Sequence, residues 1–95
     1  MKRTTSSRYD SADYLKSEGA ILAYLEECFS ENDPALIAHA LRVAARARGM
    51  MQLSRDTGLT REGLYKALDE NGNSSFATIL KVTNALGFKI SLSPS

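Results

Sequence analysis

The side chains best suited to recognition chemistry in this sequence are four polar residues close together, Arg61, Glu62, Tyr65 and Lys66. A helix that buries Leu64 would leave all four on its remaining surface. Arginine can form two hydrogen bonds to guanine, and glutamate can accept one from the amino group of cytosine. The pattern therefore predicts a short helix with a polar face that can read base edges.

Two short helices joined by a tight turn are predicted between residues 52 and 68, and the second carries that polar face. Gly58 lies where the chain must reverse without a Cβ in the way, and Thr60 has a side-chain oxygen that can cap the second helix. Leu53 and Leu64 are spaced to face each other across the turn. This is the geometry of helix-turn-helix DNA binding.

Gly63 lies inside the second helix and should weaken it by about 1 kcal/mol relative to alanine. Two explanations stay open. A residue without a Cβ there lets the helix approach its neighbour or DNA closely, or glycine is simply tolerated on an exposed face.

Charge is divided unevenly along the chain, although the formal net charge is only +1. Residues 9–33 hold seven acidic residues and one lysine, a net charge of −6, whereas residues 42–66 hold six basic and two acidic residues, a net charge of +4. Runs of charge usually mark solvated surfaces. This basic run coincides with the predicted helix-turn-helix, however, as neutralisation of DNA phosphates requires.

The sequence lacks the constellations of residues that catalysis or metal binding needs. Its single cysteine, Cys28, and its single histidine, His39, fall on different predicted helices, and no glycine-rich phosphate loop is present. Cys28 lies on an apolar stripe, which indicates a buried structural thiol and fits a reducing cytoplasm. No apolar run approaches the roughly 18 residues of a membrane span. We therefore expect no enzyme activity, no cofactor, no metal and no membrane contact in a cytoplasmic protein.

Three segments are predicted along the chain. Residues 1–8 are basic and rich in serine and threonine, and we expect a disordered arm that either has no role or contacts the minor groove or a protein partner. Residues 9–33 form an acidic helical segment, with one helix over 18–30. Residues 34–95 form the helix-turn-helix domain, including a C-terminal strand.

Capping residues predict the other boundaries. Asp33 and Pro34 can begin a helix that Gly49 ends after Arg48. After a polar loop, Ser74 or Ser75 can cap a last helix. Gly87 ends it, and its predicted apolar side consists of Phe76, Ile79, Leu80, Thr83 and Leu86.

Phe88, Ile90 and Leu92 alternate with polar residues, which is the period of a half-buried strand. One strand is not stable alone. We therefore expect this strand to pair with its two-fold mate, or with a short N-terminal strand, and to help form a dimer.

Leu53, Gly58, Leu64, the polar loop and the closing pattern Phe76-x-x-Ile-Leu-x-x-x-x-Ala-Leu-Gly87 resemble the λ-repressor/Cro-like, or XRE-like, family of DNA-binding domains. The resemblance covers about residues 34–87. It implies an all-α fold, a five-helix helix-turn-helix domain to which this chain adds an N-terminal helix and a short C-terminal strand. Two positions depart from the family pattern: Ser54 replaces a packed alanine, and Met51 stands where a serine or threonine usually caps the first motif helix.

A narrower resemblance rests on several short motifs: Tyr9-Asp10-x-Ala12-x-Tyr14-Leu15, Asp33-Pro34-Ala35-Leu36, Ala45-Arg46-Ala47-Arg48-Gly49-Met50, Gly63-Leu64-Tyr65-Lys66-Ala67-Leu68 and Ser75-Phe76-Ala77-Thr78. These look like the HigA-like addiction-module antidote proteins. Such an antidote is the antitoxin of a type II toxin-antitoxin module. It binds and neutralises a small RelE/ParE-like toxin and represses the promoter that the two share.

The resemblance implies three partners: double-stranded operator DNA, a RelE/ParE-like toxin and a second copy of the chain. It assigns DNA binding to Gln52, Arg61, Glu62, Tyr65, Lys66, Asn73 and Ser75. The acidic segment would steer a basic toxin, and we assign toxin binding to Tyr14, Tyr24 and Glu27. Two alternatives stay open: a free-standing repressor without a toxin, and a protein-binding module that has lost DNA affinity, which Arg61 and Lys66 disfavour.

Overall fold

The computed structural model describes residues 17–69, 71 and 73–94. Over that range the chain forms five helices: α1 (Glu18–Ser30), α2 (Pro34–Arg48), α3 (Met50–Thr57), α4 (Arg61–Ala67) and α5 (Phe76–Ala85). These residues contain no strand, so the all-α prediction is confirmed for them and the C-terminal strand is not. The predicted arm at 1–8 and the candidate residue Tyr14 lie outside the described residues.

The number of helices differs from the prediction. Within the described range, α2 to α5 lie between residues 34 and 94, so the segment predicted to hold a five-helix domain has four helices, and α1 precedes it. Among these same residues, the structure contains no helix with the length and apolar character that a bilayer crossing demands.

Local capping residues set the bounds of α1 and α2, which agree with the prediction. Ser17 Oγ accepts a hydrogen bond of 3.1 Å from the Ala20 amide at the start of α1. Asp33 caps α2 through a bond of 3.1 Å from the Ala35 amide. Gly49, with a φ of 116°, ends α2 in a conformation that favours glycine.

Helix α3 starts earlier, and helix α4 ends earlier, than the sequence predicts. α3 begins at Met50 rather than Gln52, so Met51 lies inside the helix and not at its cap. The N-cap is Gly49, whose carbonyl accepts from the Leu53 amide but which has no side chain to offer. α4 ends at Ala67, one residue before the end of the predicted range 52–68.

The core forms around α2, which packs against α1, α3 and α5, while α4 packs on α3. Three alanines of α2, Ala40, Ala44 and Ala45, are fully buried and let neighbouring helices approach closely. The largest fully buried side chains come from α2 to α5 and from the residues that directly follow α4 and α5: Leu41, Leu53, Leu64, Leu68, Val82 and Leu86.

Helix α5 and the C-terminal segment depart from the predicted apolar pattern. Ser75, rather than Ser74, caps α5. Of the predicted apolar side, Thr83 and Leu86 are buried, whereas Phe76 is 68% exposed and was wrongly included; Val82, which was not predicted, is buried as well. Phe76 lies in the first turn of α5, beyond the edge of the core. The spacing of apolar residues along a helix does not predict where the core ends.

Residues 88–94 adopt neither helix nor strand. Phe88 packs on the core and its amide donates to the Thr83 carbonyl at 3.1 Å. Leu92 is 97% exposed. Among residues 17–69, 71 and 73–94 this segment has no strand to pair with, and of its alternating apolar residues only Phe88 and Ile90 are partly buried.

Candidate functional site

The turn between α3 and α4 is closed by its own hydrogen bonds. Gly58 adopts the left-handed conformation, with a φ of 77°, and its amide donates to Ser54 O at 2.9 Å. The Ser54 hydroxyl donates to the carbonyl of Leu59, so the polar atom at this family alanine position has a partner. Thr57 Oγ1 donates to Leu53 O at 2.8 Å and accepts from the Leu59 amide at 3.2 Å. The relative orientation of the two helices is thus fixed locally.

Gly63 serves the cap of α4. Thr60 Oγ1 accepts from the Gly63 amide at 2.9 Å, as the sequence predicts. A Cβ at Gly63 would lie 3.0 Å from that same oxygen and 3.8 Å from Leu59 Cβ. The close approach that glycine allows is therefore to the capping threonine.

Three charged side chains share the exposed surface of α4. Arg61, Glu62 and Lys66 are exposed, while Leu64 on the same helix is fully buried. Tyr65 differs from the prediction because it is only half exposed. The guanidinium carbon of Arg42 lies 4.9 Å from the centroid of its ring. The structure thus leaves three of the four predicted base-reading residues exposed on α4 and places the fourth beneath an arginine.

The predicted phosphate-contacting residues lie on two other elements. Gln52 is exposed on α3, where its Nε2 donates to both oxygens of Asp56 at 3.1 and 3.3 Å. Asn73 is exposed in the loop before α5. Ser75 Oγ accepts from the Thr78 amide at 3.1 Å and donates to Thr78 Oγ1 at 2.9 Å. The amide of Gln52 and the hydroxyl of Ser75 therefore already have protein partners.

Two cations of the basic stretch 42–66 donate hydrogen bonds to backbone carbonyls of other parts of the fold, which the sequence did not predict. Arg48 donates to the Leu86 carbonyl at 2.7 Å and forms an ion pair with Glu18 at 3.1 Å. Arg42 donates to the carbonyls of Tyr65 and Leu68 at 3.1 and 3.4 Å. The sequence holds one signal for the role of Arg42. No glycine follows Ala67 to cap the end of α4, so the last carbonyls of this helix need a donor from elsewhere in the chain.

A second charged surface lies on α1. Glu26 and Glu27 are exposed there, and Leu22, one helical turn before Glu26, is 40% exposed. Tyr24 is half-buried and hydrogen bonds to Cys28. Of the predicted toxin-binding residues that the structure describes, Glu27 therefore faces solvent and Tyr24 only partly does.

Burial governs the chemistry of the tyrosine and the thiol on α1. Burial raises the pKa of Tyr24, and the neighbouring Cys28 raises it further. Burial also raises the pKa of Cys28, which the hydrogen bond from Tyr24 partly offsets. Cys28 is thus a buried structural thiol, as predicted. The described residues contain no group of three or more histidine, cysteine or acidic side chains that could hold a metal ion.

An apolar groove of about 340 Å³ lies at the C-terminal segment. It contains no charged residue, and Ser74 Oγ, one of its polar atoms, is buried without a hydrogen-bond partner. The lining residues come from the end of α1, from the first turns of α2 and α5, from the loops before these two helices and from the segment 88–94: Phe29, Asn32, Pro34, Ile37, Ala38, Ser74, Phe76, Ile79 and Ile90.

Comparison with known proteins identifies relatives over nearly the whole chain. A family model described as "Probable addiction module antidote protein" matches residues 5–94. A protein of Haemophilus influenzae described as "Uncharacterized protein" is 47% identical over 87 residues, covering 92% of this chain and 90% of that protein. No solved structure matches. The family match spans all five helices and therefore includes both charged surfaces.

Proposed function

The chain belongs to the family of probable addiction module antidote proteins, and we propose that it acts as a type II antitoxin with two separate binding surfaces. The surface of α4 binds operator DNA and represses the operon that encodes the chain. The exposed side of α1 binds and neutralises a RelE/ParE-like toxin. DNA binding of the XRE helix-turn-helix type is part of this proposal.

The exposed triad on α4 carries the proposal for DNA. Arg61, Glu62 and Lys66 face solvent on a helix whose buried side is fixed by Leu64 and by the turn at Gly58. A helix held in this way can enter the major groove with its N-terminal residues against base edges. Arg61, at the first position of the helix, can donate two hydrogen bonds to a guanine, and Glu62 can accept from a cytosine.

Phosphate contacts would flank this helix. Gln52 near the start of α3, and Asn73 and Ser75 before α5, lie where helix N-termini offer backbone amides to anions. Since the Ser75 hydroxyl already bonds to Thr78, the backbone amides around it are the better donors to phosphate. Gln52 would have to exchange a bond with Asp56 for one with DNA.

The family and the charge of α1 support the proposal of toxin binding. Glu26 and Glu27 form an acidic patch next to the partly exposed Leu22. Acidic groups at the edge of an interface speed the approach of a basic partner, and an apolar residue beside them adds buried area. Tyr24 would contribute its exposed edge, and Tyr14, which lies outside the described residues, keeps its assignment to toxin binding from the sequence.

The proposed dimer uses residues 88–94 and the apolar groove. Ile90 forms one wall of the groove, while Leu92, two residues further on, is 97% exposed. Because the groove is lined by uncharged residues, a second copy can approach it without repulsion between like charges. Such repulsion would arise if the acidic surfaces, or the basic surfaces, of two copies met. Backbone atoms of a partner's extended segment could also satisfy Ser74 Oγ. Two recognition helices would then face major grooves about 34 Å apart.

Oligomeric state tests this interface with a matched pair of variants. Phe76 and Met51 are both 68% exposed, but only Phe76 lines the groove. Phe76→Lys should dissociate the dimer in sedimentation experiments, whereas Met51→Lys should not. A dimer that tolerates Phe76→Lys and Leu92→Lys would place the interface elsewhere.

Binding to the DNA upstream of the chain's own gene tests the proposed function. The wild-type protein should shift this DNA at physiological salt, and Arg61→Ala should weaken specific binding by about 1–3 kcal/mol per half-site and relax preference at one base pair. An equal loss for all sequences would make Arg61 a phosphate contact. If the DNA is bound but no neighbouring gene encodes a toxin, the chain is a free-standing repressor.

A further inference from the structure

Arg42 joins α2 to the recognition helix α4 through three contacts. Its Nη1 donates to the Tyr65 carbonyl at 3.1 Å and to the Leu68 carbonyl at 3.4 Å. Its guanidinium also lies over the Tyr65 ring, 4.9 Å from the centroid. The side chain is only half exposed, because it lies between its own helix and the last turn of α4. One arginine thus contacts both the backbone and a side chain of the proposed reading helix.

Helix α4 needs such support because it is weak by itself. It has 7 residues and includes Gly63, and isolated helices of that length do not persist in water. Its C-cap is Leu68, with φ −102° and ψ 54°, rather than a glycine in the left-handed conformation. The carbonyls of the last turn therefore need a donor from outside the helix. A cation at this end also complements the helix dipole.

We propose that Arg42 is a positioning residue for DNA recognition: it fixes the last turn of α4 and the ring of Tyr65 in the geometry that fits the operator, without itself contacting DNA. This inference rests on the proposed DNA-binding function. The guanidinium suits the role because its planar fork can serve two carbonyls while it stacks on an aromatic ring, which a lysine cannot do. The bonds to neutral carbonyls are charge-assisted and therefore stronger than ordinary ones.

Arg48 provides the matched control. It lies on the same helix, is similarly half-buried and also donates to a backbone carbonyl, but that carbonyl belongs to Leu86 after α5. Arg42→Met and Arg48→Met each remove one cation and its hydrogen bonding to backbone carbonyls, while an apolar side chain of similar length remains. Only Arg42→Met removes hydrogen bonds to the last turn of α4.

The experiment measures the affinity of the full-length protein for its own promoter and for unrelated DNA over a range of salt concentrations. Arg42→Met should reduce specific affinity about tenfold relative to wild type, reduce the ratio of specific to non-specific affinity, and leave the salt slope unchanged. Arg42→Lys should recover only part of the loss. Arg48→Met should leave the ratio unchanged.

Each contrary result has a distinct meaning. A fall of about 0.9 in the salt slope on Arg42→Met would make Arg42 a phosphate contact and overturn the positioning role. Full affinity in Arg42→Lys, or an equal loss of ratio in Arg48→Met, would also overturn it. If the wild type fails to bind its promoter, the proposed DNA-binding function falls and this inference falls with it. If the wild type binds and Arg42→Met binds equally well, the inference alone is wrong.

Discussion

The two charged surfaces of the molecule are built in opposite ways. α1 has 13 residues, its own serine cap and a long contact with α2, so its exposed acidic side rests on a helix that is well supported along its length. α4 has 7 residues and depends on others: the Gly58 turn, the Thr60 cap and Arg42 from α2. We therefore expect substitutions of the residues that support α4 to weaken DNA binding, and equivalent substitutions of the residues that support α1 to leave DNA binding unchanged.

The largest effects are expected from two core leucines, one beneath each surface. Leu64→Ala on α4 and Leu25→Ala on α1 should each lower the free energy of unfolding by about 2–5 kcal/mol, because each leaves a cavity. Urea titration measures this cost. At temperatures where both variants remain folded, Leu64→Ala should also weaken promoter binding and Leu25→Ala should not. Equal weakening by both would mean that α4 is no more dependent on its support than α1.

The helix caps allow a finer comparison. Thr60→Ala and Ser17→Ala remove equivalent hydrogen bonds, from the Gly63 and Ala20 amides respectively. Each should cost about 1 kcal/mol of stability. Only Thr60→Ala should also reduce promoter affinity, because the cap precedes Arg61 directly and the short helix has few other restraints. Thermal unfolding and DNA titration on the same samples separate the two effects, and a DNA-binding loss in Ser17→Ala would contradict this account.

The smallest expected effect is a pH dependence confined to α1. Burial raises the pKa of Cys28 and of Tyr24, so the folded protein keeps both protons at a pH where the unfolded chain begins to lose them. Their contribution to stability is complete below the ordinary thiol value of 9.0 and declines as the pH rises beyond it. Cys28→Ala should therefore flatten the fall of unfolding free energy in alkaline solution. A variant that keeps the full alkaline slope would show that the thiol proton is not linked to folding.

Local signals in the sequence were enough for much of this fold. Four residues mark helix boundaries through local interactions. Asp33 and Thr60 accept hydrogen bonds from nearby backbone amides, and Gly49 and Gly58 adopt positive φ values. The bounds of α1 and α2, the turn and the charged residues of α4 all follow from such local chemistry. Residue types and spacing also predicted a base-reading role for those charges, and the family resemblance added the phosphate contacts; both stay predictions.

Tertiary contacts explain what the sequence did not predict. Arg42 and Arg48 counted as DNA-facing charge in the sequence, but their partners are carbonyls 23 to 38 residues away, which periodicity does not specify. Phe76 and Leu22 fit apolar stripes but lie at the margins of packed surfaces. The alternation at residues 88–92 is typical of a strand, yet a strand requires a neighbour, and the part of the chain that the structure describes contains none.

The most direct test of the central claim, that one antitoxin carries two separable surfaces, is a paired binding measurement with the toxin encoded beside its gene. The account predicts that Glu26→Lys/Glu27→Lys lowers toxin affinity at least about tenfold and leaves promoter affinity within about twofold, while Arg61→Ala does the reverse. Loss of both activities in either variant, or toxin affinity unchanged by the double reversal on α1, would contradict the claim.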